Sequence, residues 1–303
     1  MLDELQRYAY GLNFANAFLR ERGKAFEAFF SKIMAHAFVG DFVPVRPYGA
    51  KGDLKCDGYR ASDKTVFQCY APDSMKIAAL LNKMDADFLG AVAHWGENMR
   101  RWTFVHNDGR GLPAEAVKKM VELQAVHPAV VLIEFSEAEL RSTTMGLALH
   151  QLEDLFGPVP SGRVLEQVNF ATLRPVLLSI ERIDPDLSAP VTAPSAEKLQ
   201  RNALSKDAAG LLLVGRRREH LVESFFEQWP LPDFGEQIAE GFRSRYGALK
   251  AVGLSADQIF GELQTFAGGM TGTALHQGAV LAVMSYFFER CDIFEDVKPM
   301  APS

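Results

Sequence analysis

The chain has 303 residues, of which 48% are hydrophobic and 23% charged, and it carries a net charge of −6. That is enough apolar material for one large domain or two modest ones. The acidic balance excludes a broad, sequence-independent phosphate-binding surface, which needs an excess of lysine and arginine. No apolar run reaches the ~20 residues of a membrane-spanning helix. The opening MLDELQRYAYGLNFANAF has neither the basic start nor the small-residue cleavage site of a signal peptide.

Phe26, Phe29, Phe30, Ile33, Met34 and Ala37 recur at helical spacing and predict an amphipathic helix over about 24–38. Three strand-like runs follow, FVPVRPY, LKCDGYR and TVFQCYA, the last two joined by the short polar stretch Ala61–Lys64. Pro72 and Asp73 end the third run and open a long helix with Ile77, Leu80, Leu81 and Met84 on one face. RWTFVHN, then Ala114–Val126, then AVVLIEF read as strand, helix and buried strand. The order predicts a mixed α/β sheet flanked by helices. GPVPSG and DPDLSAPVTAPSAE concentrate proline, serine and aspartate and read as a linker around a short element near Leu173–Ile180. Helical spacing resumes from about Glu197, and ALHQGAVLAVMSYFFERCDIF, apolar nearly all round, predicts a central buried helix. The expected division is therefore an α/β domain at 1–157, a linker at 158–196 and an all-α domain at 197–303.

Oxygen donors are what the α/β part offers for chemistry. Cys56, Cys69 and Cys291 include no CxxC pair, which argues against a thiolate zinc site and a disulfide framework and fits a reducing, cytoplasmic setting. Magnesium takes oxygen ligands, so a site for it needs carboxylates that converge. Adjacent antiparallel strands can supply that convergence, because alternate side chains share a face. Asp57 closes the second strand, Gln68 lies on the third, and Glu27 on the preceding helix can add a further oxygen. The same aspartates with Lys55 between them also suit a plain polar turn and strand edge.

The segment GKAFEAFFSKIM…VRPYGAKGDLKCDGYRASDKTVFQCYAP resembles the core of Mrr-like restriction endonucleases, a branch of the PD-(D/E)xK superfamily. The resemblance matches Phe26-Glu27 to the family's helix pair, Gly52-Asp53 to its leading GD, Asp57-Gly58 to its metal-binding DG, and Gln68 to the first residue of its last motif. It implies a restriction-endonuclease-like mixed sheet, a Mg²⁺ (or Mn²⁺) ion held by Asp57, Gln68, Glu27 and Asp53, and hydrolysis of DNA in preference to RNA. It further implies a homodimer where both strands are cut. Tyr70 stands where the family has its catalytic lysine, and a phenol with a pKa near ~10 supplies no positive charge; it is either a structural residue or an orienting hydroxyl. Lys55, two residues before Asp57 on the expected strand, or Lys51 in the turn can take the ammonium role. The alternative is a nuclease fold that has lost catalysis and binds nucleic acid or a partner.

FQCYAP together with YFFERCDIFED resembles components of bacterial ABC-type three-component defence systems, which implies an ATPase or other defence partner. HNDGRGLP resembles the nucleotide loop of GHKL ATPases, but the upstream helix offers Asn82 without the glutamate. A strand-ending turn with Gly109, Gly111 and Pro113 explains the same residues. Arg216, Arg217 and Arg218 form the one dense basic run and read either as a solvated face or as a nucleic-acid contact.

Overall fold

Phe26, Phe30, Ile33 and Met34 fall one and two helical turns apart, so a helix that buries them carries a continuous apolar stripe. In the computed structural model that helix is α2 (Gly23–Ala37), and all four side chains are buried. It follows α1 (Glu4–Arg20). The structure describes residues 2–47, 53–181, 202–231, 233–269, 272–290 and 293–294. Lys51, Gly52, Cys291 and linker residues 182–196 lie outside the described residues.

Five strands form one sheet in chain order: β1 (Phe42–Pro44), β2 (Gly58–Arg60), β3 (Thr65–Tyr70), β4 (Arg101–His106) and β5 (Val131–Phe135). The first three form an antiparallel meander in which Gly58 faces Phe67. The strands β4 and β5 then add parallel to β3. Parallel neighbours need crossovers, and α3 (Ile77–Trp95) and α4 (Ala114–Val126) supply them. The mixed α/β sheet expected from the sequence is therefore present. The second strand is shorter than LKCDGYR suggested, because Leu54 and Lys55 both take positive φ, 56° and 60°. A strand cannot pass through the left-handed region, so regular pairing starts only after Lys55, with the first inter-strand bonds at Asp57 and the strand itself from Gly58.

Side-chain alternation divides the core. Phe67 packs with Phe30, Phe42 and Phe135 on one face, at ring separations of 5.4–6.3 Å. Val66, Trp102 and Phe104 pack on the other with Leu80, Met84 and Phe88 of α3 and Ala116 and Leu123 of α4. The edge of β5 is closed by a side chain: Gln124 accepts from Leu132 N–H at 2.9 Å and donates to the Val130 carbonyl at 2.7 Å. An edge amide so occupied cannot template another strand. At the end of β4 the HNDGRGLP segment is the strand-ending turn, with Gly111 at φ 82° and Pro113 capping α4. Buried His106 steadies it through Glu134, 3.0 Å away.

The chain divides into two compact units, residues 17–151 and residues 1–16 with 152–303. The first sixteen residues thus join the helical unit, where the sequence reading put them with the sheet. Tyr10 donates to the Gly157 carbonyl at 3.3 Å, and Asp3 accepts from Gly162 N–H at 2.8 Å. The unit contains α5's successors in the chain: with α5 at Glu137–Met145, these are α6 (Leu149–Phe156), which crosses the division, α7 (Gly162–Leu165) and α8 (Phe170–Glu181). It continues with α9 (Lys206–Gly215), α10 (Glu219–Gln228), α11 (Phe234–Ala251), α12 (Ala256–Phe266) and α13 (Ala274–Glu289). The expected central helix is α13, buried along nearly its whole length from Gln277 to Phe288. Gly215 permits its close approach to α9, since a Cβ there would lie 2.1 Å from Ser285 Oγ.

Gly58 has the same role in the sheet: a Cβ there would lie 2.4 Å from the ring of Phe42, which is buried between Phe30 and Phe67. Gly58→Ala should destabilise the protein by about 1–3 kcal/mol, the usual cost of overpacking. The denaturation midpoint checks it, and an unchanged midpoint would show that the ring moves aside freely.

Candidate functional site

Asp57 stands immediately before β2, and its backbone already pairs. Its N–H donates to the Phe67 carbonyl at 2.9 Å, and its own carbonyl accepts from Val45 at 3.1 Å. Fixed in this way, its side chain meets the end of β3. Asp57 Oδ2 accepts from Gln68 Nε2 at 2.8 Å and from Cys69 N–H at 2.7 Å. Both residues are buried, Asp57 at 4% and Gln68 at 3% exposure. The two residues thus meet across neighbouring strands, but the amide nitrogen of Gln68, and not the oxygen expected as a ligand, faces the carboxylate. Gln68 Oε1 is left buried without a hydrogen-bond partner, an unsatisfied acceptor of the kind that calls for an ion or a water.

Burial first, and then the negative charges of Glu27 and Asp53, together raise the Asp57 carboxyl from its ordinary value to about 6. The Cys69 amide and the Lys24 ammonium act in the opposite direction. Glu27 and Asp53 thus act on Asp57 through their charge, without a hydrogen bond to it. The helix that carries Glu27 is anchored at its first turn, where Gly23 N–H donates to the Ala71 carbonyl just beyond β3 at 2.7 Å. Asp53 has a second role: its Oδ1 accepts from Lys55 N–H at 2.9 Å and holds the left-handed turn.

Lys55 is placed differently from the expectation. The positive φ at Leu54 and Lys55 breaks the strand alternation that would have put it beside Asp57. Its side chain runs over Gly90 of α3 and its ammonium pairs with Asp87, 3.1 Å away. Asp87 is fully buried and pairs with Lys83 as well. Tyr70 packs its ring on Phe104 at 6.0 Å, and loss of solvent raises its phenol pKa. Of the arginine run, Arg216 pairs with Glu289 at 3.1 Å, Arg218 donates to the carbonyls of Leu165 and Glu166, and Arg217 is exposed. The first and third thus have internal partners, and Arg218 closes the end of α7.

The residue that sequence reading passed over is Lys24. It lies one turn before Glu27 on α2, with its ammonium 2.7 Å from Glu27 Oε2. That hydrogen bond raises the lysine's pKa, and the charges of Asp57 and Asp53 add to it. The i,i+3 spacing from Glu27 was the available signal.

Among the described residues, no three His, Cys, Asp or Glu side chains stand close enough to hold a metal ion by themselves. One buried carboxylate, one orphaned amide oxygen and two further carboxylates in the vicinity suit a hard cation that keeps several waters, not a closed protein cage. A cleft of about 360 Å³ beside Asp108, Glu134, Ser136 and Glu137 contains none of these residues.

Residues 171–295 match the family model described as C-terminal domain 10 of the ABC-three component (ABC-3C) systems. The match covers less than half of the chain and falls within the helical unit. It supports the resemblance to a three-component-system protein at the C-terminal YFFERCDIFED; FQCYAP lies outside the matched residues. No curated protein and no solved structure matches the chain. Among the described residues, no helix is long and apolar enough to cross a membrane.

The buried carboxylate has a consequence for stability. With a native pKa near 6 against 3.8 when exposed, Asp57 holds a proton between these values that the unfolded chain has released. Stability therefore falls as pH rises through that window, and above it the ionised form costs on the order of 3 kcal/mol. Asp57→Asn should raise the melting temperature at pH 8 and leave it nearly unchanged at pH 4. Equal shifts at both pH values would contradict this origin.

Proposed function

We propose that this protein is a metal-dependent nuclease of restriction-endonuclease-like fold, acting on DNA as one component of a prokaryotic three-component defence system. One observation carries the reading: a buried aspartate and a buried glutamine from paired strands meet at 2.8 Å, the glutamine oxygen is unsatisfied, and two further carboxylates act on the aspartate. Packing alone does not call for this arrangement. Ionised Asp57 costs stability where it stands, which is common for groups retained for function. The match of residues 171–295 supports the defence assignment, and with it an ATPase or other component as partner.

In this reading Asp57, Gln68 and Glu27 hold Mg²⁺ or Mn²⁺, and Asp53 shapes the turn and adds negative charge. The bound ion would polarise the phosphate and lower the pKa of a water. The protein's own contribution is positional. The Cys69 amide and the strand pairing fix the Asp57 carboxylate, and α2 brings Glu27 to the same end of β3. The helical unit serves for assembly or regulation, with Arg217 as the remaining arginine available to phosphate.

A specific observation favours a second reading, a non-catalytic scaffold that binds nucleic acid or a partner. Tyr70 occupies the lysine position of the last motif, and Lys55 is engaged by Asp87. Mg²⁺-dependent cleavage of plasmid DNA, measured with and without the partner ATPase, separates the two. Asp57→Ala should reduce cleavage at least ~100-fold, the scale of losing a principal ligand. Mn²⁺ should raise the melting temperature of the wild type at pH 8 and not that of Asp57→Ala. Absence of both effects in the wild type would leave the scaffold.

A further inference from the structure

The helical unit contains a pocket whose polar lining serves no contact within the fold, and we propose that it binds a neutral, planar, hydrogen-bonding heterocycle of the nucleobase class. Side-chain amides from three helices line it: Asn13 of α1, Gln264 of α12 and Gln277 of α13. Gln277 is the most telling of them. The residue is only 6% exposed, yet its side chain makes no hydrogen bond among the described residues, and neither do those of Asn13 and Gln264. A carboxamide withdrawn from water without a partner destabilises the fold. A leucine would fill the same position at lower cost, as Leu281 does one turn further along α13 on the same wall.

The lining defines the ligand. Among the described residues no charged side chain borders the pocket, so it offers a phosphate no cationic donor and a metal ion no carboxylate. Each amide presents a donor beside an acceptor, the arrangement with which a carboxamide meets N6 and N7 of adenine together. The apolar remainder, with Phe156 and Pro158, suits the faces of a ring. Shape agrees with chemistry. The empty space, counted out into the mouth, is about 430 Å³, but the centre of a water-sized sphere fits in only about 20 Å³ of it. A slot that narrow admits a flat ring edge-on and rejects a globular ligand. Its walls are held in advance: Tyr10 of α1 packs on the Phe156 ring at 6.3 Å and donates to the Gly157 carbonyl at 3.3 Å. Asn13, Phe156 and Pro158 lie outside residues 171–295, so the pocket is not made by the matched domain alone. The assignment is independent of the nuclease reading, whose residues belong to the α/β unit.

Thermal unfolding and titration calorimetry of the full-length protein with adenine, adenosine and AMP test it. Adenine should raise the melting temperature and bind with a Kd of about 1 mM or tighter. Binding that persists in adenosine assigns the source to nucleosides or nucleotides, and binding confined to adenine assigns it to the free base; either upholds recognition of the ring. Gln277→Leu should weaken binding at least ~10-fold, while its ligand-free melting temperature stays at or above that of the wild type, because a buried amide without a partner has been removed. Gln264→Leu, on a different helix, should weaken binding as well. No binding of adenine or adenosine at about 1 mM overturns the proposal, as does binding unchanged in both variants. AMP binding more than ~10-fold tighter than adenosine would reveal a phosphate site and overturn the neutral class. A lower ligand-free melting temperature in Gln277→Leu would make the amide a structural link through water, and would overturn it too.

Discussion

A carboxylate taken out of water must find partners, and at Asp57 they come from the neighbouring strand: the Gln68 amide and the Cys69 backbone N–H both donate to Oδ2. Much of the α/β unit can be understood as the scaffold that keeps this meeting in place. The antiparallel pairing of β2 with β3 fixes the register, and Gly58 lets the Phe42 ring close over the strand next to it. The turn before β2 is held by Asp53 and by Trp95, whose indole N–H donates to the Leu54 carbonyl at 3.1 Å. Each of these contacts is individually modest, as hydrogen bonds exchanged with water are. Together they hold an ionisable group where its charged form is disfavoured.

The electrostatics around that point are asymmetric. On the α2 side, Glu27 and Lys24 form a pair at the surface, and Asp57 lies within reach of both charges. On the α3 side, Lys55 and Lys83 converge on Asp87, a wholly buried carboxylate. A buried anion left unpaired would be strongly destabilising, so Asp87 commits two lysines to structure. This is the physical reason that proximity in sequence misleads at Lys55: the ammonium answers a stronger demand on the opposite side of the turn.

The two compact units differ in what they hold. The α/β unit holds the buried Asp57–Gln68 pair. The helical unit presents no such pair among the described residues, yet it carries the family match. Its organisation follows from α13, whose sequence is apolar on every side and which must therefore be surrounded, here by α7, α8, α9, α10 and α12.

The amino-acid sequence by itself determined the succession of helices and strands, the mixed sheet, the burial of α13 and the approach of Asp57 to Gln68. These depend on periodicity and on pairing between near neighbours along the chain. Tertiary structure alone decided where the long charged side chains point and with which unit the first sixteen residues pack. Lys55 turns away because two consecutive residues adopt left-handed backbone and because a carboxylate 32 positions later needs a cation. The start of α2 lies by the end of β3 because Gly23 is hydrogen-bonded to Ala71, a contact between residues 48 positions apart. Hydrophobic spacing is a local property that a single sequence displays. The partner of a flexible ammonium is set by whichever charge the fold brings within a few ångströms of it, and that is settled only when the whole unit has assembled.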